Sequence, residues 1–270
     1  MVQLQSVIQN LNILIDYFNH KEESAMIEVI LEDAIKYARK IYRGKTSNKI
    51  YRDVSKLLKH KQAMHTPEAI VKRVDKHKQF LKKINNINLI RDIHQYSLSR
   101  FNSGEELVGN CGELSISAFV YLSEQKTQEI LNYFNDKRNS DNKSLPIYVL
   151  CISLSYPYDH SFVAVTLPEN SSNLPKLDNI YEISFNNSWI CDPWAKIACP
   201  YSEYVTRWKV KMLKWHLVEK GVSIYLEDQD VHCPSPLRQH NYHAITESSK
   251  RVASMAVVKC DGSMMIFQDA

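Results

Sequence analysis

Residues 106–122, ELVGNCGELSISAFVYL, divide the chain into two halves of different character. The sequence of 270 residues holds only 6 glycines, and two of them, Gly109 and Gly112, flank Cys111. The apolar residues that follow have helical spacing and predict a helix beginning at or just after the cysteine: Leu114, Ala118, Phe119 and Leu122. A cysteine that only fills a core needs neither glycine. A cysteine at the N-terminus of a helix could use both, because a glycine has no Cβ to block the approach of a substrate to the backbone.

The hundred residues before this stretch are predicted to be helical. Two early segments carry an apolar stripe, made of Val7, Leu11, Leu14, Ile15 and Phe18 in the first and of Ile27, Ile30, Leu31, Ile35 and Ala38 in the second. Thr66, Pro67 and Glu68 form a helix-start signal. In the helix that follows, one face is predicted to be apolar (Ile70, Val71, Val74, Leu81, Ile84) and the other basic (Lys72, Arg73, Lys76, Lys78). A further helix is predicted to run to about Ser99.

The residues after 122 are predicted to form mainly strands. LPIYVLCISLSY (145–156) and HSFVAVTL (160–167) predict two antiparallel neighbours, and YEISFNNSWICDPW (181–194) predicts two strands around an Asn-Asn turn. Residues 202–217 predict a helix, and a terminal hairpin is expected to turn at Asp261-Gly262. The fold class is therefore α+β, with a helical region over 1–100 and a domain over 101–270 in which a central helix packs on an antiparallel sheet.

Composition and charge narrow the classes of function. Hydrophobic residues make up 44% of the chain and charged residues 24%, as in soluble globular proteins. The net charge of +4 does not indicate nucleic acid as a partner. Residues 51–100 hold 12 Lys and Arg against 4 Asp and Glu, a local charge of +8. This stretch suits a solvated helix face, and contact of residues 51–84 with phosphates or an anionic membrane surface stays open.

The six cysteines show no C-x-x-C spacing and are scattered over a long chain, so neither a disulfide framework nor a zinc ribbon is expected. His232 and Cys233 with His240 and His243 include good zinc ligands, but their spacing matches no familiar site, and we expect no metal and no cofactor. No run of 18 apolar residues predicts a transmembrane segment, and no cleavable signal peptide is recognisable at the N-terminus.

Three short phrases carry residues suited to nucleophilic catalysis: GNCGE with Cys111, YDHSFVAV with His160 and WICDPWAK with Asp192. The N–H groups and partial positive charge of a helix N-terminus lower the pKa of a cysteine and can hold an oxyanion. A histidine that opens a strand is firmly held and can act as a general base, and a carboxylate at the end of a neighbouring strand can orient it. Trp194 would shield that pair from water.

Each of these residues also has a purely structural interpretation. Cys111 could be a small buried residue at a helix start, His160 a turn histidine and Asp192 part of an Asp-Pro turn. Cys151 and Cys191 lie in apolar strands and are expected to be core residues. The aromatic residues Tyr201, Tyr204, Trp208 and Trp215 are most simply explained as the core face of an amphipathic helix.

The order of cysteine, histidine and acid on helix, strand and strand resembles the papain-like and transglutaminase-like cysteine enzymes over about residues 100–200. Within that group the chain is similar to bacterial effectors and toxins that act on host proteins. The resemblance implies a papain-like core and attack on an amide through a thioester, with Cys111 as nucleophile, His160 as base and Asp192 as orienting acid. It also implies a soluble protein that is delivered into a host cell by a dedicated secretion system, with a host protein as its substrate.

Departures from the papain pattern guide the choice of reaction. Position 105 is Glu rather than the usual Gln, GEL replaces the tryptophan that often follows the cysteine, and the third member is Asp rather than Asn. These differences favour a glutamine deamidase or transglutaminase over a general protease. Asn110 is a candidate oxyanion donor by proximity. The alternative is a non-enzymatic α+β interaction module that binds an acidic protein or an anionic membrane through basic helices in 51–84.

Overall fold

A six-stranded antiparallel sheet supports most of the second half of the chain. The computed structural model describes residues 26–55, 57–155, 158–177, 187–222 and 235–268. The sheet strands are β2 (Ile147–Leu154), β3 (Ser161–Thr166), β4 (Ser188–Asp192), β5 (Ile197–Pro200), β7 (Lys250–Val258) and β8 (Met264–Gln268), in the order β5-β4-β3-β2-β7-β8. Two short strands, β1 (Lys49–Tyr51) and β6 (Lys220–Val222), form a separate antiparallel pair.

The helices of the described part lie mainly before the sheet. They are α1 (residues 26–41), α2 (Lys59–Gln62), α3 (Pro67–Ile84), α4 (Ile90–Asn102), α5 (Cys111–Val120), α6 (Thr127–Asn135), α7 (Tyr201–Leu217), α8 (Gln239–Tyr242) and α9 (Ala244–Glu247). Helices precede an antiparallel sheet, so the predicted α+β class is confirmed. The apolar stripe predicted for residues 7–18 lies outside the described residues.

Helix α3 begins as its sequence predicts, but its buried face matches the predicted apolar face only in part. The Thr66 side chain accepts a hydrogen bond from the N–H of Ala69 at 3.2 Å, and Pro67 is the first helical residue. The predicted faces are wrong at two positions, because Val71 is 59% exposed and Arg73 is buried. The buried face consists of Arg73, Val74, His77, Phe80 and Ile84. Its polar members have partners inside the fold: Arg73 donates to the carbonyl of Met64, and His77 contacts Glu113.

The strand predictions hold where the structure describes them. β2 and β3 are antiparallel neighbours, with Cys151 opposite Val163, and β7 and β8 form the terminal hairpin. Gly262 in that hairpin has a φ of 83°, a conformation that glycine adopts without steric cost. Of the two strands predicted around the Asn-Asn turn, the second is β4, and residues 178–186 lie outside the described part.

Helix α5 begins at Cys111, as predicted, and packs against the sheet. Leu114, Ala118 and Phe119 are at most 1% exposed, and the hydroxyl of Ser115 donates to the carbonyl of Ser161 at 2.9 Å. This contact fixes the first turns of α5 against the start of β3. The helix continues through a π-helical turn at Tyr121–Gln125, and the preceding α4 ends at Asn102 rather than near Ser99.

Buried side chains from both sides of residue 100 form one hydrophobic cluster. It includes Ile27 and Leu31 of α1, Phe80 of α3, Phe119 of α5 and Phe162 of β3. The division into regions 1–100 and 101–270 stays a prediction. In the part of the chain that the structure describes, none of the helices combines the length and the apolar composition of a membrane span.

The loop before α5 yields a stability prediction. A Cβ on Gly109 would lie 2.6 Å from Cδ1 of Tyr42, a buried ring whose hydroxyl is held by Ser97. We expect Gly109→Ala to lower the free energy of unfolding by about 1–3 kcal/mol, measured by urea denaturation. Gly112→Ala is the matched control, because a Cβ there meets nothing within 4 Å. Equal stability of the two variants would contradict the packing argument.

Candidate active site

The Cys111 thiol lies at the start of α5, against the residue that precedes His160. Cys111 is the first helical residue after the N-cap Asn110 and is 5% exposed. Its Sγ is 4.0 Å from the carbonyl oxygen of Asp159, a weak contact. The two sequence segments that hold the predicted nucleophile and base therefore meet.

The two glycines around Cys111 have different roles. The space next to Gly109 is filled by the Tyr42 ring, so this glycine is explained by packing and not by substrate approach. Gly112 faces open space. A cavity of about 200 Å³ is lined by Gly112 together with Cys151 and Ser161. Of the two glycines, only Gly112 has open space next to it, and Cys111 itself does not line this cavity.

His160 and Asp192 form a buried hydrogen-bonded pair. Nε2 of His160 lies 2.9 Å from Oδ2 of Asp192, and the two residues are 4% and 0% exposed. The carbonyl of His160 accepts from the N–H of Leu154 at 2.8 Å, which fixes the backbone at the entry to β3. A carboxylate only accepts hydrogen bonds, so Nε2 carries a proton, and in the neutral form of the imidazole the lone pair is on Nδ1.

Asp192 has two further donors. The N–H of Ala195 donates to Oδ1 at 2.8 Å, and the hydroxyl of Tyr204 donates to Oδ2 at 2.9 Å. Burial alone would raise the pKa of Asp192, but the charge and hydrogen bond of His160, with the two other donors, outweigh it and lower the pKa. Asp192 is therefore held as a carboxylate.

Aromatic rings enclose the imidazole. The ring centroids of Trp208 and Trp194 lie 4.8 Å and 5.2 Å from that of His160, and both tryptophans are buried. Trp194 thus occupies the shielding position predicted from the sequence. The low dielectric around the pair strengthens its electrostatic interaction.

The Cys111 thiol is neutral at rest. Burial is the largest cause that raises its pKa, and the carboxylates of Asp159, Glu113 and Asp192 raise it further, whereas a backbone hydrogen bond from Ser161 lowers it. This differs from the expectation that the helix N-terminus lowers the pKa of the thiol. A reaction at Cys111 consequently needs a base to take the proton.

The donors of Asn110, the candidate oxyanion residue, already have partners. Its N–H donates to Oε2 of Glu113 at 2.6 Å, and its side-chain amide donates to the hydroxyl of Ser47 at 3.0 Å. Glu113 also contacts Nε2 of His77 at 3.1 Å. Asn110 thus anchors α5, and its role as an oxyanion donor stays a prediction. Glu105, at the position where papain-type proteases carry Gln, pairs with Arg100 at 2.6 Å.

The structure describes some of the other cysteines and candidate metal ligands that the sequence singles out. Cys151 and Cys191 are buried in strands, as expected, and Cys260 is exposed. His232 and Cys233 lie outside the described residues. Within the described ranges, no group of three or more His, Cys, Asp or Glu side chains that could hold a metal ion is found.

Tyr204 is the site residue that the sequence did not reveal. It was predicted as core and is indeed 0% exposed, but its hydroxyl contacts Asp192 at 2.9 Å and lies 3.5 Å from Nε2 of His160. The sequence contains one usable clue, since a fully buried tyrosine usually needs a partner for its hydroxyl. Nothing in the local pattern names that partner.

No protein-family model, no curated protein and no solved structure matches the chain. The fold and the site by themselves define a class: an α+β protein with a cysteine at a helix start beside a buried His-Asp pair.

Removing the Tyr204 hydroxyl should weaken the site measurably. Tyr204→Phe keeps the ring but deletes a hydrogen bond to a buried carboxylate, so we expect a loss of about 1–3 kcal/mol in the free energy of unfolding. Tyr148→Phe is the control, because Tyr148 is also buried and the described residues offer its hydroxyl no hydrogen bond. Calorimetric unfolding that is unchanged in Tyr204→Phe would refute this account.

The lowered pKa of Asp192 also predicts a pH dependence of stability. Its contribution is complete above the ordinary aspartate pKa of about 4 and is lost as the pH falls through the lower folded-state value. The stability difference between wild type and Asp192→Asn should therefore be large at neutral pH and shrink below pH about 4. Urea unfolding across this range measures it, with Asp75→Asn on the exposed side of α3 as the control. A difference that stays constant with pH would argue against a buried carboxylate.

Proposed function

We propose that the chain is a thiol-dependent enzyme that attacks amides, with Cys111 as nucleophile, His160 as general base and Asp192 as the acid that orients the imidazole. One observation carries the proposal. The Sγ of Cys111 contacts the carbonyl of Asp159, and the next residue, His160, is held by a fully buried carboxylate at 2.9 Å. The resemblance to papain-like and transglutaminase-like enzymes supports the same three roles.

The first half-reaction follows from the neutral state of the thiol. As the sulfur bonds to the amide carbon, its proton passes to Nδ1 of His160 and the carbonyl electrons move to oxygen. Asp192 stabilises the imidazolium that forms, because a charge pair in a buried site attracts strongly. When the carbon–nitrogen bond breaks, His160 returns the proton to the leaving nitrogen. Ammonia or an amine departs, and a thioester remains on Cys111.

The second half-reaction decides the product. Water gives a carboxylate, which is deamidation of a glutamine or hydrolysis of a peptide, whereas a lysine amine gives a new amide. In each case the attacking group loses a proton to His160, which passes it to the departing sulfur and restores the thiol. Among these outcomes, glutamine deamidation or transglutamination of a host protein is favoured, since the usual oxyanion glutamine is replaced by Glu105.

The oxyanion is assigned to the start of α5. The first N–H groups of a helix have no partner within the helix and carry partial positive charge. Gly112 leaves the space beside them open. Since Cys111 is only 5% exposed, a substrate carbonyl reaches Sγ after the contact with Asp159 is released.

Product mass provides the direct test. Proteins of a host-cell lysate are incubated with wild type, Cys111→Ala, His160→Ala or Cys260→Ala and analysed by intact mass. A gain of one mass unit means deamidation, joining with loss of ammonia means transglutamination, and fragments mean proteolysis. We expect the change with wild type and with Cys260→Ala, which alters an exposed cysteine, and not with the other two. The same products from Cys111→Ala would eliminate the proposal.

Selective labelling tests the site without knowledge of the substrate. Iodoacetamide at neutral pH should modify the exposed Cys260 before Cys111, whose pKa is raised by burial. A chloromethyl ketone built on a glutamine side chain should reverse this order, because His160 accepts the thiol proton once the reagent is bound. His160→Ala should lose the reversal and keep the labelling of Cys260. Peptide mass mapping reads both sites.

The competing function is a non-enzymatic module that binds through its basic helices in 51–84. It predicts that Cys111→Ala leaves biological activity untouched and that the glutamine reagent reacts with cysteines only according to their exposure. Lys72 and Lys78 are exposed on α3 and available for such contacts. Reversing their charge abolishes binding under this function and leaves labelling of Cys111 unchanged under the enzymatic one.

A further inference from the structure

A second site lies on the far side of the turn that follows Asp192. A cavity of about 340 Å³ is bounded by α1, β1, α3, α7 and β6 and by the turn over residues 193–196. Eight Lys and Arg side chains line it, and the described residues around it include no Asp or Glu. A positive cavity of this size without an acidic residue is unusual for a chain with a net charge of only +4.

Arg73 gives the clearest indication that something is bound there. It is 8% exposed, and its Nη1 donates to the carbonyl of Met64 at 2.9 Å. Its Nε and Nη2 are buried and have no hydrogen-bond partner within the described residues. Buried donors nearly always have partners, so two unused donors on one guanidinium indicate an acceptor that the described residues do not supply. Nearby, Nδ1 of His65 is also buried without a partner in the described part.

Aromatic faces hold two further cations at the cavity. Nζ of Lys49 lies 3.8 Å from the ring centroid of Trp194 and 4.4 Å from that of Trp215. Nζ of Lys220 lies 4.9 Å from the centroid of Tyr51 and 5.3 Å from that of Trp215. Cation–π contacts of this kind fix the ammonium groups in place without neutralising them.

The cations at this cavity repel one another. Burial, followed by the charges of Lys220 and Arg39, holds the pKa of Lys49 well below its usual range. Burial and Arg39 likewise lower the pKa of Lys220 to about 8. Among the ion pairs of the described residues, none includes one of the eight cations. The carboxylate of Asp192 attracts Arg39, Lys49 and Lys211 only at longer range. A multiply charged anion would relieve this repulsion.

The geometry points to a binding site for a small phosphate-rich anion in this cavity. Phosphate suits it because guanidinium and ammonium groups recognise phosphate oxygens, and several cations require several negative charges. The volume fits a small molecule and excludes a nucleic-acid duplex. Lys45 and Lys196 at the rim have positive φ values of 74° and 58°, a strained conformation of the kind found at ligand sites.

The site adjoins the proposed catalytic pair but does not depend on it. Arg39 and Lys49 donate to the carbonyls of Pro193 and Trp194, the two residues after Asp192. An anion held by these cations would therefore brace the turn whose Ala195 N–H supports the carboxylate. Binding itself requires neither Cys111 nor His160, and so can be measured in their absence.

Calorimetry and thermal unfolding test the site with inositol hexakisphosphate, inorganic tripolyphosphate and inorganic phosphate as probes. We expect the first two to bind and raise the unfolding temperature, and inorganic phosphate to bind at least about tenfold more weakly. Affinity should fall as salt rises. Cys111→Ala should bind like wild type, which separates this site from the proposed activity. The absence of binding by both polyanions would overturn the proposal.

Substitutions locate the binding. Arg73→Met and Lys220→Met should each reduce affinity by at least about tenfold. If a substitution at a buried position prevents folding, Lys61→Met at the exposed rim is measured instead, and it should also reduce affinity. Lys78→Met is the matched control, because Lys78 is exposed on α3 and does not line the cavity. Equal loss in Lys78→Met and in the cavity variants would assign binding to general surface charge and reject the site.

Sedimentation with lipid vesicles distinguishes a lipid headgroup from a free anion as the ligand. Phosphatidylcholine vesicles with and without a phosphoinositide are sedimented with wild type and with Lys220→Met. Binding that depends on both the phosphoinositide and Lys220 assigns a lipid headgroup. Binding of the soluble polyanions without sedimentation assigns a free anion. Sedimentation that is identical in wild type and Lys220→Met, together with no effect of that substitution on the soluble probes, contradicts the proposal.

Discussion

The burial of the Asp192 carboxylate is the constraint on which the rest of the site depends. A charge with no solvent exposure is tolerated only when its oxygens accept enough hydrogen bonds, and an unpaired one costs several kcal/mol. The three donors come from the entry to β3, from the turn after β4 and from α7: His160, Ala195 and Tyr204. The sheet edge, the turn and the last long helix must all be in place before the carboxylate is satisfied. The geometry of the proposed catalytic pair and the fold are therefore stabilised together.

Charge is strongly segregated around this point. On one side of the 193–196 turn lies an enclosed carboxylate with its imidazole, and on the other lies a cavity lined by eight cations. The backbone of the turn contacts the cationic side directly, since Arg39 and Lys49 donate hydrogen bonds to its successive carbonyls at Pro193 and Trp194. At the cysteine, burial raises the pKa of the thiol, and the carboxylates of Asp159 and Glu113 raise it further. The same turn thus connects two different electrostatic environments.

Much of the fold could be predicted because its signals are local. Thr66 and Pro67 mark the start of α3, Asp261 and Gly262 mark the terminal hairpin, and the helix after Gly109 begins at Cys111. Other features could not be predicted. Helical periodicity shows which residues share a face, but hydrophobicity identified the buried face of α3 only in part, because Arg73 and His77 each make a hydrogen bond there. The pairing of β1 with β6 joins segments about 170 residues apart, and neither segment has a sequence pattern that indicates its partner.

For the site, the sequence by itself determined the residue types and their local settings: a cysteine at a helix start, a histidine before a strand and an aspartate at the end of another. Only the tertiary structure decided that His160 is hydrogen-bonded to Asp192 and that the Tyr204 hydroxyl donates to the same carboxylate. It also decided that the Tyr42 ring fills the space next to Gly109 and that cations from distant segments line one cavity. The physical reason is the distance along the chain over which each interaction acts. Caps, turns and periodicity act within a few residues, whereas desolvation and charge depend on which distant segments exclude water from one another.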